Sequence, residues 1–482
     1  MVTMPSEAAD DYGLVENLVR HGMTMMRINC AHDDASAWSR MIAHVRRAEQ
    51  ALGISCRVLM DLGGPKLRTG PIEAGQAVAK VRPRRDRLGK VVAPARIWLT
   101  GEDSPKTSPM PAAATLPVSD KWLAKLCSGD RLTCFDTRDA KRRLDVVEAT
   151  ADGCWLETRQ TTYFAPGIVL RLRRDGGRHR HHRRAIIGTF PPRQQTIPLG
   201  VGDALVVTRD PIPGRAAIRD GAGGLLHPAQ ISCSLPQIFA EVRQGEPIWF
   251  DDGRIGGVIE RVGDAALHVR ITQVPAAGAK LRADKGINLP ESDLRLPALT
   301  DEDIGDLNFV VKNADLIGLS FVYRPSDVIA LHDRLQTLGG QQMGVVLKIE
   351  TRRGFENLPE LLLAAMRFDR AGVMIARGDL AVECGFERLA EVQEEILWIC
   401  EAAHFPVIWA TQVLENLAKE GMPSRAEITD AAMSNRAECV MLNKGPHILQ
   451  AVQVLDDILR RMEAHQDKKQ SMLRQLRLAK SR

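Results

Sequence analysis

Three short segments of this chain carry residue types that do chemistry together. K-I-E at 348–350 ends the apolar run V-V-L, and strand alternation puts Lys348 and Glu350 on one side with Ile349 turned away. A-R-G-D-L at 376–380 ends the next run, so Asp379 is expected near Glu350. Two carboxylates with few other protein ligands suit Mg²⁺ or Mn²⁺, which keep waters and take substrate oxygens. The amides around Gly378 precede a polar turn, where backbone N–H groups can hold an anion. Arg27, Arg68 and Lys348 all stand at run ends. Three cations converging on a carboxylate pair describe a clamp for phosphoryl oxygens bridged by a metal. Taken alone, Lys348 and Glu350 read equally well as a structural ion pair. D-L-G-G-P-K-L-R-T-G at 61–70 reads as a metal loop, a phosphate loop or a plain turn.

The elements that must position these groups follow a rhythm. Residues 1–70 and 286–464 alternate short apolar runs with amphipathic stretches such as 34–51, 302–312, 326–338, 386–403 and 446–464. Continuous apolar strands followed by helices mean parallel strands buried on both faces. Seven such runs and a stub at the N-terminus make eight, which predicts an α/β fold, a (β/α)₈ TIM barrel with its site at the C-terminal strand ends. Residues 71–285 break the rhythm with short β-like runs and many turn signals. They are expected to form a β-barrel-like domain inserted after strand three. G-D-R-L-T-C-F-D-T-R (129–138) aligns without gaps on G-E-P-I-W-F-D-D-G-R (245–254), so the insert is expected to hold two β modules, 71–170 and 196–285, the second acting as lid. A basic His/Arg tract centred on 171–184 falls in an expected linker, 171–195, and a basic tail occupies 465–482.

The bulk numbers exclude several classes. The chain has 482 residues, enough for two or more domains, with 44% hydrophobic and 26% charged residues as in ordinary globular proteins. Aromatics at 4% and a net charge of +5 argue against a nucleic-acid partner. No run approaches about 18 apolar residues, so no membrane span is expected. Nine singly scattered cysteines and no signal-like N-terminus predict reduced thiols and a cytoplasmic location.

At this point the chain resembles the pyruvate kinases. M-R-I-N-C-A-H (26–32) resembles the family's R-x-N-[FC]-S-H turn, and D-L-G-G-P-K-L-R-T-G resembles its D-T-K-G-P-E-I-R-T-G. D-K-G-I-N-L-P (284–290) resembles the K-K-G-V-N-L-P that returns from the inserted domain. K-I-E, A-R-G-D-L, A-T-Q-V-L-E (410–415) and P-S-R-A-E-I-T-D (423–430) occur intact and in order. The resemblance implies a phosphotransferase that makes pyruvate and ATP from phosphoenolpyruvate and ADP, the last step of glycolysis. By the same resemblance Glu350 and Asp379 would bind Mg²⁺, and Lys348 would stabilise the phosphoryl group in flight and the enolate. Arg27 would hold the phosphoryl group, while Arg68 and Lys285 would hold nucleotide phosphates beside Asn29 and His32. The amides of Gly378 and Asp379 would take the substrate carboxylate. Thr411 would lie on the face where the enolate is protonated. Arg425 and Asp430 match family positions as structural residues. A homo-oligomer is expected, of unassigned size. The alternatives are a metal-dependent enolate lyase or a kinase for another substrate on the same barrel, and a catalytically inactive scaffold.

The departures from the family are informative. Its K⁺ site uses an Asn, a Ser, an Asp and a carbonyl; here Asn29 and Asp61 remain, but the serine position is Ala31. The family's glutamate in G-P-E-I-R is Lys66, whose ammonium is expected beside Asp61 in place of the monovalent cation, so K⁺ is not expected to be required. Gly63 replaces a lysine, and M-L-N-K-G-P (441–446) replaces M-L-S-G-E-T. Family members usually continue into an α/β domain that binds sugar-phosphate effectors. Little of this chain follows residue 464, so effector control by that route is not expected.

Overall fold

The computed structural model describes residues 1–173, 184–192 and 194–466. Eight parallel strands lie side by side in chain order: Val2–Thr3, Met25–Asn29, Arg57–Asp61, Leu316–Leu319, Gly344–Ile349, Ala371–Ala376, Val407–Ala410 and Cys439–Val440. The two outer strands meet. Val2 bridges Leu442 in parallel, Thr3 N–H donates to the Leu442 carbonyl at 3.0 Å, and Leu442 N–H donates to the Met1 carbonyl at 3.0 Å. The sheet therefore has no free edge, which removes the unpaired backbone groups that an open sheet exposes.

Period-two alternation divides the buried side chains into two sets. Leu59, Val346, Met374, Ile408 and Met441 pack together in one cluster. Their sequence neighbours Val58, Met60, Val345, Leu347 and Val373 join a second, larger core with helical residues such as Leu307, Leu331 and Ile396. This is why the strands read as unbroken apolar runs: both faces are covered. Following the first set two residues further along each strand leads from Leu59 to Asp61 and from Val346 to Lys348. The polar groups thus continue the inner face at the C-terminal strand ends.

The expected helices appear at Ala35–Leu52, Asp301–Asn313, Pro325–Thr337, Leu389–Ala402 and Ile448–Gln466. Asp34 caps the first by accepting Ala37 N–H at 2.8 Å, and Thr300 with Asp303 forms a reciprocal capping box on the second. The polar turn expected after Gly378 is instead a helix, Arg377–Cys384. Its Leu380, Ala381 and Val382 are buried, and Gly385 at φ 89° stops it.

The chain leaves the parallel sheet after its third strand and rejoins it at the fourth, forming two further β arrays in between. Two compact units result: Met1–Pro71 with the chain from Ile197 onward, and Ile72–Thr196. Within the second unit, Val169–Arg173, Arg131–Phe135, Lys141–Ala149, Cys154–Thr158, Ala95–Gly101 and Thr115–Val118 are neighbours in that order, with Arg184–Ile186 added beyond the first. Within the first unit, Ile287–Asn288, Pro247–Phe250, Ile255–Val262, Ala266–Gln273, Ala204–Thr208 and Ala229–Ser232 follow the same order. In each array the last pair is parallel and the others antiparallel. Local details repeat as well. Gly129 and Gly245, at φ 90° and 94°, donate at 2.8 Å to Val146 and Ile259 respectively. Of the stretch read as a basic linker, Arg171–Arg173 and Arg184–Ile186 belong to paired strands, while residues 174–183 lie outside the described residues, as does the basic tail from 467 onward. The second unit begins and ends side by side, since Ala74 bridges Gln194.

Candidate functional site

A chain of alternating charges crowns the inner face of the closed sheet. Asp61 ends the third strand fully buried. Register places Asn29 beside Asp61 and Arg27 beside Leu59, so the Arg27 guanidinium can fold over the carboxylate. Arg27 donates from Nε at 2.9 Å and also from Nη2, while its Nη1 donates to Thr3 Oγ1 at 3.1 Å. On the other side Lys348 Nζ lies 3.2 Å from Asp61 Oδ2 and 3.1 Å from Glu350 Oε1, and donates to Ser320 Oγ at 2.7 Å. Ser320 in turn donates to the Leu62 carbonyl at 2.6 Å. Glu350 Oε2 accepts the Phe321 N–H at 2.7 Å.

The electrostatics of this chain follow from burial and pairing. Burial alone would raise the Asp61 carboxyl, but Lys348 and Arg27 hold it below its ordinary value. Burial would depress Lys348, yet Asp61 and Glu350 more than offset this and keep the ammonium charged. Glu350 is pushed up by burial, against Lys348 and with help from Asp379. Two carboxylates that repel one another while one is buried form a place where a cation is favoured.

Asp379 opens the Arg377–Cys384 helix, and its partner is Lys66. Lys66 Nζ lies 2.9 Å from Oδ2 and 3.3 Å from Oδ1, and 5.7 Å from the centre of the Phe321 ring. The expectation of Lys66 beside Asp61 differs from this geometry. Both oxygens of Asp379 face the ammonium, and Asp61 is already enclosed by Arg27 and Lys348. Arg68 lies 3.4 Å from Asp284 Oδ1, on the segment where it bridges Gly286. Lys285 pairs with Asp251 Oδ1 at 2.8 Å. Asp251, Asp252 and Gly253 all take left-handed φ, and that tight turn aims Asp251 at the lysine.

Gly378 N–H donates to Thr411 Oγ1 at 2.8 Å, so two expected site residues meet directly. Thr411 itself is left-handed at φ 65°. Arg377 holds this corner together: Nε donates to the Ala410 carbonyl at 3.0 Å, Nη2 to Asp430 Oδ2 at 2.9 Å, and the guanidinium lies 4.8 Å from the Trp409 ring centre. Asn29 Oδ1 accepts Ala31 N–H at 3.3 Å. Asn29, Arg27 and His32 line a cavity of about 270 Å³ that also borders Lys419 and Lys444. A second cavity, of about 310 Å³, is lined by Lys66, Asp379, Asn288, Tyr323, Arg352 and Glu383.

Sequence reasoning places Ser320 and Arg377 at strand ends without their roles, and it misses Glu383. Ser320 is a strand-end serine whose role depends on a lysine 28 residues away. Arg377 looks like one more rim cation until its bonds to Ala410 and Asp430 are seen. Glu383 accepts from Asn288 Nδ2 at 3.0 Å, and burial, opposed by that bond and assisted by Asp379, pushes its carboxyl up to about 7. The sequence held no signal for it, because a four-residue spacing from Asp379 means nothing in a stretch that reads as a turn.

Among the described residues no group of three or more His, Cys, Asp or Glu gathers as a self-sufficient metal centre. Glu350 and Asp379, close enough that the second raises the first, offer oxygen donors of the kind a hard divalent ion takes. All nine cysteines are free, and among the described residues no helix is long and apolar enough to cross a membrane.

A closed parallel sheet with an ionic cluster at its C-terminal strand ends defines an α/β protein of the barrel type that carries its chemistry on strand ends. Residues 2–88 and 196–446 match the family model of the pyruvate kinase barrel domain, and the chain belongs to the pyruvate kinase family. It is 36% identical over 230 residues to pyruvate kinase PKLR of Rattus norvegicus, covering 46% of this chain and 38% of that protein. It is 31% identical over 284 residues to pyruvate kinase of Bacillus licheniformis, covering 58% and 45%. With pyruvate kinase of Hypocrea jecorina it shares 37% over 206 residues, covering 42% and 36%. The matched segments span less than half the length of these relatives.

Proposed function

We propose that the protein is a phosphotransferase that converts phosphoenolpyruvate and ADP to pyruvate and ATP, on a (β/α)₈ barrel with a duplicated β insert after its third strand. The observation that carries this reading is the buried chain Arg27–Asp61–Lys348–Glu350 ending beside Asp379. Loose phosphoryl transfer needs positioned charge more than a covalent nucleophile, and this cluster is preorganised charge. Arg27 and Lys348 are fixed by Asp61, so neither must reorganise when charge moves. Lys348, kept protonated by its two carboxylates, faces the phosphoryl group in flight and the enolate left behind. Glu350 and Asp379 hold the Mg²⁺ or Mn²⁺, which when bound supplies positive charge to the substrate oxygens. Arg68 and Lys285 hold nucleotide phosphates, with Asn29 and His32 on the nucleotide side. The corner of Gly378, Asp379 and Thr411 takes the substrate carboxylate, and Thr411 directs water for protonation at carbon. Lys66 and Ala31 support activity without K⁺, with the Lys66 ammonium supplying the monovalent charge within the site. Free thiols support a cytoplasmic setting, and a glycolytic role and a homo-oligomer go with the family.

Pyruvate release from phosphoenolpyruvate, followed with and without ADP, divalent ion and K⁺, tests the reading. The wild type requires ADP and Mg²⁺ and runs equally in KCl and tetramethylammonium chloride. Lys348→Met and Glu350→Gln each lower the ADP-dependent rate by about 10²–10³-fold without unfolding the protein. Near-full rate in either variant sinks the assigned site, and a strict K⁺ requirement sinks the role of Lys66 as the monovalent charge.

A further inference from the structure

Asp61 and Glu350 each have a deeply buried cation partner: Arg27 and Lys348 for the first, Lys348 for the second. Asp379 is different. Its cation is Lys66, and this pair is part-exposed, at 26% for the lysine side chain and 16% for the aspartate. The two differ in tether as well. Lys348 is held by Ser320, Asp61 and Glu350 together, whereas the Lys66 ammonium has the Asp379 carboxylate and the Phe321 ring. The backbone that carries Lys66 is stiff. Gly64 is left-handed at φ 67°, Pro65 follows it, and Lys66 N–H donates back to the Gly64 carbonyl at 2.8 Å. Motion of the ammonium is therefore motion of its four-carbon stem. The cavity of about 310 Å³ bordered by Lys66 and Asp379 gives that stem somewhere to go.

We propose that Lys66 is a tethered counter-ion for the metal carboxylate: its ammonium neutralises Asp379, and a divalent cation must displace it to bind. The proposal rests on the reading of Glu350 and Asp379 as the metal ligands. Within this group of six, Arg27, Lys348 and Lys66 balance Asp61, Glu350 and Asp379 in formal charge. A divalent ion arriving at Glu350 and Asp379 competes with one lysine for one carboxylate. The lysine lowers the apparent metal affinity of the free protein and, once released, adds a mobile positive charge beside the bound ion.

Mn²⁺ binding to the full chain, measured by the electron paramagnetic resonance of free Mn²⁺ without substrate or nucleotide, tests this. Lys66→Met is expected to bind Mn²⁺ about fivefold more tightly than wild type, the scale of a part-exposed ion pair that no longer has to break. Lys66→Arg, which keeps the charge, is expected to gain nothing, and Glu350→Gln and Asp379→Asn to bind at least about tenfold more weakly. Lys66→Gln replaces the methionine variant if circular dichroism shows the latter unfolded. Equal or weaker binding by the neutral variant, with Glu350→Gln and Asp379→Asn still impaired, overturns the counter-ion and leaves the metal site standing. Unimpaired binding by Glu350→Gln and Asp379→Asn overturns both.

Discussion

Glu383 illustrates how one buried carboxyl links structure to pH. Its folded value of about 7 lies above the ordinary 4.5. A group raised on folding contributes stability that is fully present below about pH 4.5 and is lost as pH rises through 7. Glu383→Gln keeps an acceptor for Asn288 and removes the ionisation. The variant should therefore gain on the wild type as pH goes from 5 to 8, by about 1–2 kcal/mol after allowing for partial solvent access, in urea unfolding at each pH. A parallel shift of both proteins across that range would mean that Glu383 ionises freely. None of this was legible in the sequence, where Glu383 is one glutamate among many. Lys348 and Glu350 were legible, because residues two apart on a strand share a face whatever else surrounds them. The partner of Lys66 was not: it stands 313 residues away, and the family resemblance pointed instead to Asp61 as part of the monovalent-cation corner.

At the level of elements, the loop after the third strand is where conformation and chemistry meet. Gly64 must be left-handed there, and a Cβ on it would lie 2.8 Å from the Ser320 Cβ. Ser320 is the acceptor that helps hold Lys348, so crowding in the loop reaches the site through one serine. Gly64→Ala should cost about 1–3 kcal/mol in denaturant unfolding and lower turnover with it. Full stability would show that Ser320 can yield. Parallel strands announce themselves in sequence because burial on both faces demands unbroken apolar runs. The helix at Arg377–Cys384 did not, since eight residues with a glycine second carry little periodicity and owe their shape to packing of Leu380 and Val382.

For the whole molecule, the closure of the eight strands was readable as a count, while the strand order shared by the two β arrays was visible only as a faint ungapped alignment. Short strands with buried positions such as Leu132 and Cys134, or Ile248 and Phe250, conserve a burial pattern more than they conserve letters. The bridge between Ala74 and Gln194 has an engineering consequence. A segment whose two ends lie together behaves as a cassette, with one address for both its splice points. Pro71 accepts from Gly214, and Ile197 pairs with Leu281, so each splice point is anchored by bonds that do not involve the cassette. A chain lacking 72–196, closed by two glycines, should stay folded by circular dichroism and bind Mn²⁺ within about threefold of the full protein, the spread expected of an unperturbed site. The same address would accept a foreign domain, making this a position where a sensor or a label can be docked into the chain without opening the ring of strands.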